Sequence, residues 1–132
     1  MEHTALIYTM VLMSAADSEM ADVELGIIGQ TVQSLPAFKG FDAELLPKIA
    51  EDCADLIAGE NGLETVIQLV KKSLPARLRE TAYALACDVA AADGKISDEE
   101  VQLLEMIRQG LEIDTLVAAA IERGARAHFQ DV

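Results

Sequence analysis

Two stretches of this chain repeat each other at a constant offset of 76 residues: AADSEMADVE at 15–24 and AADGKISDEE at 91–100, with five of ten positions identical. The match extends into the flanking helical patterns. Met13 corresponds to Val89, Asp17 to Asp93, Glu24 to Glu100 and Ile28 to Leu104. A unit present twice is too few for a solenoid. It predicts two equivalent helical hairpins, about 6–31 and 82–107, packed around a pseudo-twofold axis with further helices linking them.

The rest of the pattern agrees with an all-α fold, because helical periodicity runs throughout and no alternating strand pattern stands out. The expected helices are 2–16, 21–35, a third capped by Asp42 and ended by Gly59, Asn61 and Gly62, and a fourth around Val66, Ile67 and Val70. A fifth starts at Leu74-Pro75, a sixth follows Ser97, and a seventh runs from Asp114 to about Ala127. The third carries Leu45, Leu46, Ile49, Cys53, Leu56 and Ile57 on its apolar face. The fifth carries Leu78, Ala82, Leu85, Ala86 and Val89, and the sixth Leu103, Leu104, Ile107 and Leu111. The segment 36–40 breaks the pattern. A chain of 132 residues, 52% hydrophobic but only 4% aromatic, suits one compact bundle of about seven helices with an aliphatic, Ala-rich core. The whole of 1–132 reads as one domain.

Residues 3–16, HTALIYTMVLMSAA, contain no Lys, Arg, Asp or Glu. The run is shorter than the roughly 20 apolar residues a membrane span needs. A secretory signal would want a basic start, and the first Lys or Arg is Lys39. A buried helix is the expectation, with no direct membrane insertion. Ten basic against twenty-three acidic residues give a net charge of −13. Such a surface repels nucleic acid and anionic lipid and favours cations or partners with basic faces. A dimer is compatible with this. Cys53 and Cys87 sit singly in apolar patterns and read as reduced core thiols, which suits the cytoplasm. Met10, Met13 and Met20 read as core filler.

AADGKISDEE resembles half of a calcium loop. In that register Asp93, Gly94, Ile96, Ser97 and Glu100 fall at positions 5, 6, 8, 9 and 12, but Val89 and Ala91 fall at positions 1 and 3, where a hard cation needs oxygen ligands. An EF-hand is therefore excluded. Ser97-Asp98-Glu99-Glu100 also reads as a capping box, with Ile96 and Val101 as a hydrophobic staple and Gly94 closing the preceding helix. The first copy has Ala21 for Ser97 and Ser18 for Gly94, yet keeps Asp17, Asp22 and Glu24. Two readings stay open: helix-turn architecture alone, or turns that also bind a cation or a partner.

An apolar helix ending in Ala-Ala-Asp-Gly-x-Ile-Ser-x-x-Glu, present twice in an acidic helical chain, resembles the TerB family of tellurite-resistance proteins, a related form of which opens the DjlA-type membrane co-chaperones. The likeness is anchored on residues 6–30 and 82–107, and the first copy departs from the pattern at Ser18 and Ala21. It implies a fold of seven or eight helices, no known enzymatic activity and a role in stress or metal resistance. It also implies an acidic site for a divalent cation, calcium or another, and protein partners in a membrane-associated complex. By position, Asp17, Glu24, Asp93 and Glu100 would be the metal residues.

Other chemistries find little support. No Glu-x-x-His pair exists for a ferritin-like dimetal centre, no Gly-rich phosphate loop occurs, and neither Cys has a neighbouring His. His3 and His128 read as surface groups. Lys71, Lys72, Arg77 and Arg79 bracket Leu74-Pro75, either as cations closing a helix or as a docking patch for an acidic partner. The leading expectation is a non-catalytic binding module of stress-response type. A purely structural protein–protein adaptor is the alternative, and a hydrolase using the carboxylates comes last.

Overall fold

The computed structural model describes residues 1–15, 22–92 and 96–130, with side chains for all of them except 22–25. Among these residues there are seven α-helices and no strand: α1 Glu2–Ser14, α2 Asp22–Ser34, α3 Leu46–Ile57, α4 Gly62–Ser73, α5 Ala76–Ala91, α6 Asp98–Gly110 and α7 Thr115–His128. No helix among them is long and apolar enough to cross a membrane. The all-α bundle expected from the periodicity is thus observed.

Helix α1 organises the bundle. Every residue from Ala5 to Ser14 is buried, so the helix has no polar face to turn toward water. A helix apolar all round has to lie inside. It packs on α5, α3, α4 and α2, and α5 packs in turn on α7, α6 and α2. Leu6, Ile7, Met10, Leu12 and Met13 are almost wholly enclosed, as are Val66 and Val70 of α4 and Val89 of α5. Ala82, Ala86 and Ala90 of α5 are fully buried, and side chains that small let another helix approach closely. Thr9 satisfies its hydroxyl by donating to the Ala5 carbonyl at 2.9 Å, whereas the Ser14 hydroxyl is buried with no hydrogen-bond partner among the described residues.

Helix α2 packs on both α1 and α5, and α6 packs on α5 and touches α1. These are the two helical pairs that the repeat marks. The pseudo-twofold relation between them remains an inference from the sequence. The expected apolar faces of α5 and α6 are in the core: Ala82, Leu85, Ala86 and Val89, and Leu103, Leu104, Ile107 and Leu111. Cys53 and Cys87 are buried and free. Met20 and Gly94 lie outside the described residues.

Several local expectations are corrected. Asp42 caps not α3 but a short 3₁₀ turn, Ala43–Leu45, accepting the Glu44 N–H at 3.0 Å. The helix proper begins at Leu46, where the following Pro47 occupies a first-turn position that needs no donor. Leu45 belongs to that turn, falls off the α3 face and is 51% exposed. The 36–40 break is a second 3₁₀ turn, Pro36–Phe38, followed by Gly40 at φ +85°, a left-handed value that favours glycine. His3 is no plain surface group. Its ring stacks on Phe38 at 5.7 Å and meets Phe41 edge-on at 5.3 Å, which ties the start of α1 to this turn.

The α3–α4 corner is the sharpest departure. Helix α3 stops at Ile57. Asn61 takes the left-handed conformation at φ 54°, and Gly62 is the first residue of α4 rather than the end of α3. A Cβ placed on Gly62 would lie 2.1 Å from the Ile57 carbonyl oxygen, a backbone atom that cannot swing aside. At the far end of α6, a Cβ on Gly110 would lie 2.3 Å from Ile67 Cγ2, whereas one on Gly124 of α7 would meet nothing within 4 Å. Gly62→Ala and Gly110→Ala should each destabilise by about 1–3 kcal/mol through overpacking. Gly124→Ala should instead stabilise by about 0.5–1 kcal/mol, the helix-interior advantage of alanine. Urea unfolding of the three variants checks this, and a loss at Gly124 as large as at Gly62 would contradict the packing argument.

Candidate functional site

The second acidic turn is the best-described part of the expected site. Ser97 has extended backbone and accepts the Glu100 N–H on its Oγ at 3.2 Å, while Glu100 Oε1 accepts the Ser97 N–H at 2.9 Å. The expected capping box is therefore formed, with two backbone donors of the first turn satisfied reciprocally. Glu100 is only 3% exposed. Asp98 and Glu99 point to solvent in the same turn, where the positive end of the α6 dipole favours them.

Of the four residues the motif nominated for a metal, Asp17 and Asp93 lie outside the described residues. Glu24 is placed by its backbone alone, as the third residue of α2, and Glu100 is the third residue of α6. The two glutamates thus occupy the same position in their helices. Among the described residues no group of three or more His, Cys, Asp or Glu side chains is placed to hold a metal ion.

Ile96 and Val101, the expected staple, line one cleft, and Val101 remains 51% exposed, so the pair leaves a groove open beside the turn. The inner end of that cleft, about 50 Å³, is lined by Cys87, Ala91, Ile96, Val101, Leu104 and Ala125, with Glu122 and Arg126. A larger outer hollow of about 280 Å³ continues past Ala91, Ile96 and Arg126 to Phe129 and Gln130. The sequence offered one signal for this feature: Val101 is an apolar residue set directly after three acids at a helix start. Helix α7 supplies the other wall through Glu122, Ala125 and Arg126, which no motif in the sequence singles out.

Burial dominates the electrostatics near the cleft. The Cys87 thiol is pushed up to about 12 by burial first and by the Glu122 carboxylate second, and burial alone does the same to Cys53. Both thiols are therefore neutral around physiological pH. The buried Tyr83 phenol is raised further, chiefly by burial, then by Cys87 and Glu122. Burial also raises the half-buried Asp88 carboxyl, against the opposing pull of His128.

Elsewhere the cations close helices. Arg79 donates from Nε to the Leu74 carbonyl and from Nη2 to the Lys71 carbonyl, both at 3.1 Å, which satisfies the end of α4. Lys71 pairs with Glu112. Two of the four basic residues around Leu74-Pro75 are thus occupied structurally, which favours the helix-closing reading of that cluster.

The comparison with protein families decides the lineage: the model described as tellurite resistance protein TerB matches residues 3–122. The chain belongs to the TerB family. No curated protein and no solved structure matches it. Membership of the TerB family suggests a non-enzymatic role of the tellurite-resistance type. It also covers both acidic turns of this TerB chain, including the capping box at the start of α6.

Replacing Ser97 with alanine should cost about 1 kcal/mol, the usual worth of an N-cap, without altering helix content. Chemical denaturation read by circular dichroism measures both. A variant as stable as the parent would show that Glu100 holds the turn unaided.

Proposed function

We propose that this TerB-family chain is a non-catalytic binding module in tellurite-resistance or stress physiology, and that the start of α6 is where it meets a protein partner. The observation that carries the reading is the first turn of α6. Asp98 and Glu99 are solvent-exposed, Val101 is half-exposed directly after them, and an apolar cleft opens alongside. With a net charge of −13, the chain favours partners with basic faces and speeds their encounter. A cytoplasmic setting, and a partner that itself belongs to a membrane-associated complex, would fit this role.

The test is complementation of tellurite tolerance in a host lacking its own family member. Asp98→Lys with Glu99→Lys reverses the charge of the turn and leaves Ser97 and Glu100 in place. Each reversal costs stability on the order of 0.3–1 kcal/mol through the helix dipole. The fold should persist while tolerance falls to that of the empty host. Full tolerance from the double variant would refute the role of this turn.

A second reading is favoured by Glu100, a carboxylate withdrawn almost wholly from water inside the family's own motif turn. In it, Asp17, Glu24, Asp93 and Glu100 serve a divalent cation, calcium or another, as well as helix ends. A ligand that binds only the folded state raises stability by mass action. The melting temperature should then climb with millimolar calcium, magnesium, zinc or manganese, and fail to climb in the Asp17→Asn, Asp93→Asn double variant. Superimposable melts with and without each ion leave the carboxylates as caps.

A further inference from the structure

Helices α6 and α7 both pack on α5 but make little contact with each other, so a groove floored by α5 runs between them. Its floor is Cys87 and Ala91. One wall is Val101 and Leu104, the other Ala125, with Glu122 at the side. The floor is apolar in charge state as well as in shape, because burial keeps the Cys87 thiol protonated. At about 50 Å³ the inner well has room for the end of one aliphatic side chain and little more.

The charges at the rim select the occupant. Asp98 stands one turn before Val101 on the same side of α6, since residues three apart are neighbours on a helix. Glu99 is beside it, and Glu122 faces the well from α7. Among the described residues Arg126 is the one base in the lining, shared with the outer hollow toward Phe129. A second copy of this chain would bring −13 against −13, and an anionic lipid surface would be repelled in the same way. A basic segment is drawn by Asp98 and Glu99 on the α6 side and by Glu122 across the well, with Arg126 beside Glu122 opposing it in part. We propose that the α6–α7 groove takes one aliphatic side chain from a partner's lysine- or arginine-rich segment, the flanking cations lying against Asp98 and Glu122. This rests on the protein-binding reading above and names the seat and the chemistry of its partner.

The probe is a fluorescein-labelled amphipathic peptide built only of leucine and lysine, with a control in which every leucine is replaced by serine. Fluorescence anisotropy at about 0.15 M salt, where the screening length is about 8 Å, follows binding to the whole chain. Val101→Asp is the informative variant, because it adds a negative charge at a helix start that favours one while spoiling the apolar wall. Attraction by charge alone should strengthen with it. The groove predicts that leucine–lysine binding weakens by about tenfold or more, as for loss of an apolar anchor. The serine control should bind weakly and hardly notice the change. Asp98→Asn and Glu122→Gln should each weaken binding severalfold. Should Val101→Asp fail to fold by circular dichroism, Val101→Ser serves, with the same direction expected.

Binding that is equal or tighter in the Val101 variants overturns the groove. The acidic-turn reading then stands or falls separately on the tolerance of the charge-reversed double variant. A leucine–lysine peptide that binds no better than its serine control likewise removes the groove as a seat. Sedimentation supplies the remaining outcome. A wild-type dimer that Val101→Asp converts to monomer assigns the groove to a second copy and overturns the basic-partner proposal.

Discussion

The contact between α1 and α5 is what the remaining helices are arranged to protect. Ten successive buried residues, Ala5 to Ser14, leave α1 without a side it can show to water. Hydrophobic burial drives such a helix inward, but the interior must also be closed on every side. Helix α5 meets it with fully buried alanines at 82, 86 and 90. Helices α3 and α4 cover another flank and pack on each other, and α2 and α6 close the rest. Helix α7 reaches the bundle through α5. Its distance from the central contact is why a groove can stand open between it and α6.

Most of this architecture was legible in the residues. Leu103, Leu104, Ile107 and Leu111 repeat at helical spacing and are buried, and the charge-free run 3–16 is long enough for a helix but too short for a membrane. Ser97 and Glu100 announced a capping box that forms. The failures share one cause: what a residue does at a corner depends on where the next element goes. Gly62 read as a helix terminator because glycine commonly ends helices, yet here it opens α4, the carbonyl of Ile57 leaving no room for a side chain. Leu45 fits the period of α3 but precedes its first turn. His3 had no partner in its own stretch of sequence, since Phe38 and Phe41 reach it only through the fold.

The candidate site was legible to a lesser degree. The motif marks the turn, and the reciprocal hydrogen bonds between Ser97 and Glu100 are what hold its first turn. The cleft beside it could not be read, because it is made by three helices and by the near-absence of contact between two of them. Helical periodicity reports which side of a helix is apolar. It does not report that Val101 stays half in water, or that Glu122 and Cys87, 35 positions apart, face each other across α5 and α7.

The enclosed position of α1 also bears on how the chain is made. Its principal packing partner, α5, lies some 70 residues later in the chain, starting at Ala76 where α1 starts at Glu2. At about 5–20 residues per second, synthesis leaves a largely apolar helix waiting on the order of several seconds for the surface that buries it. During that interval α3 and α4 offer partial cover, being made earlier and packing on the same helix. Contacts so distant in sequence slow folding, and the exposed run is of the kind that nascent-chain chaperones hold. The feature that makes the finished bundle compact thus makes its birth dependent on protection, and the yield of folded protein sensitive to the pace of translation between α1 and α5.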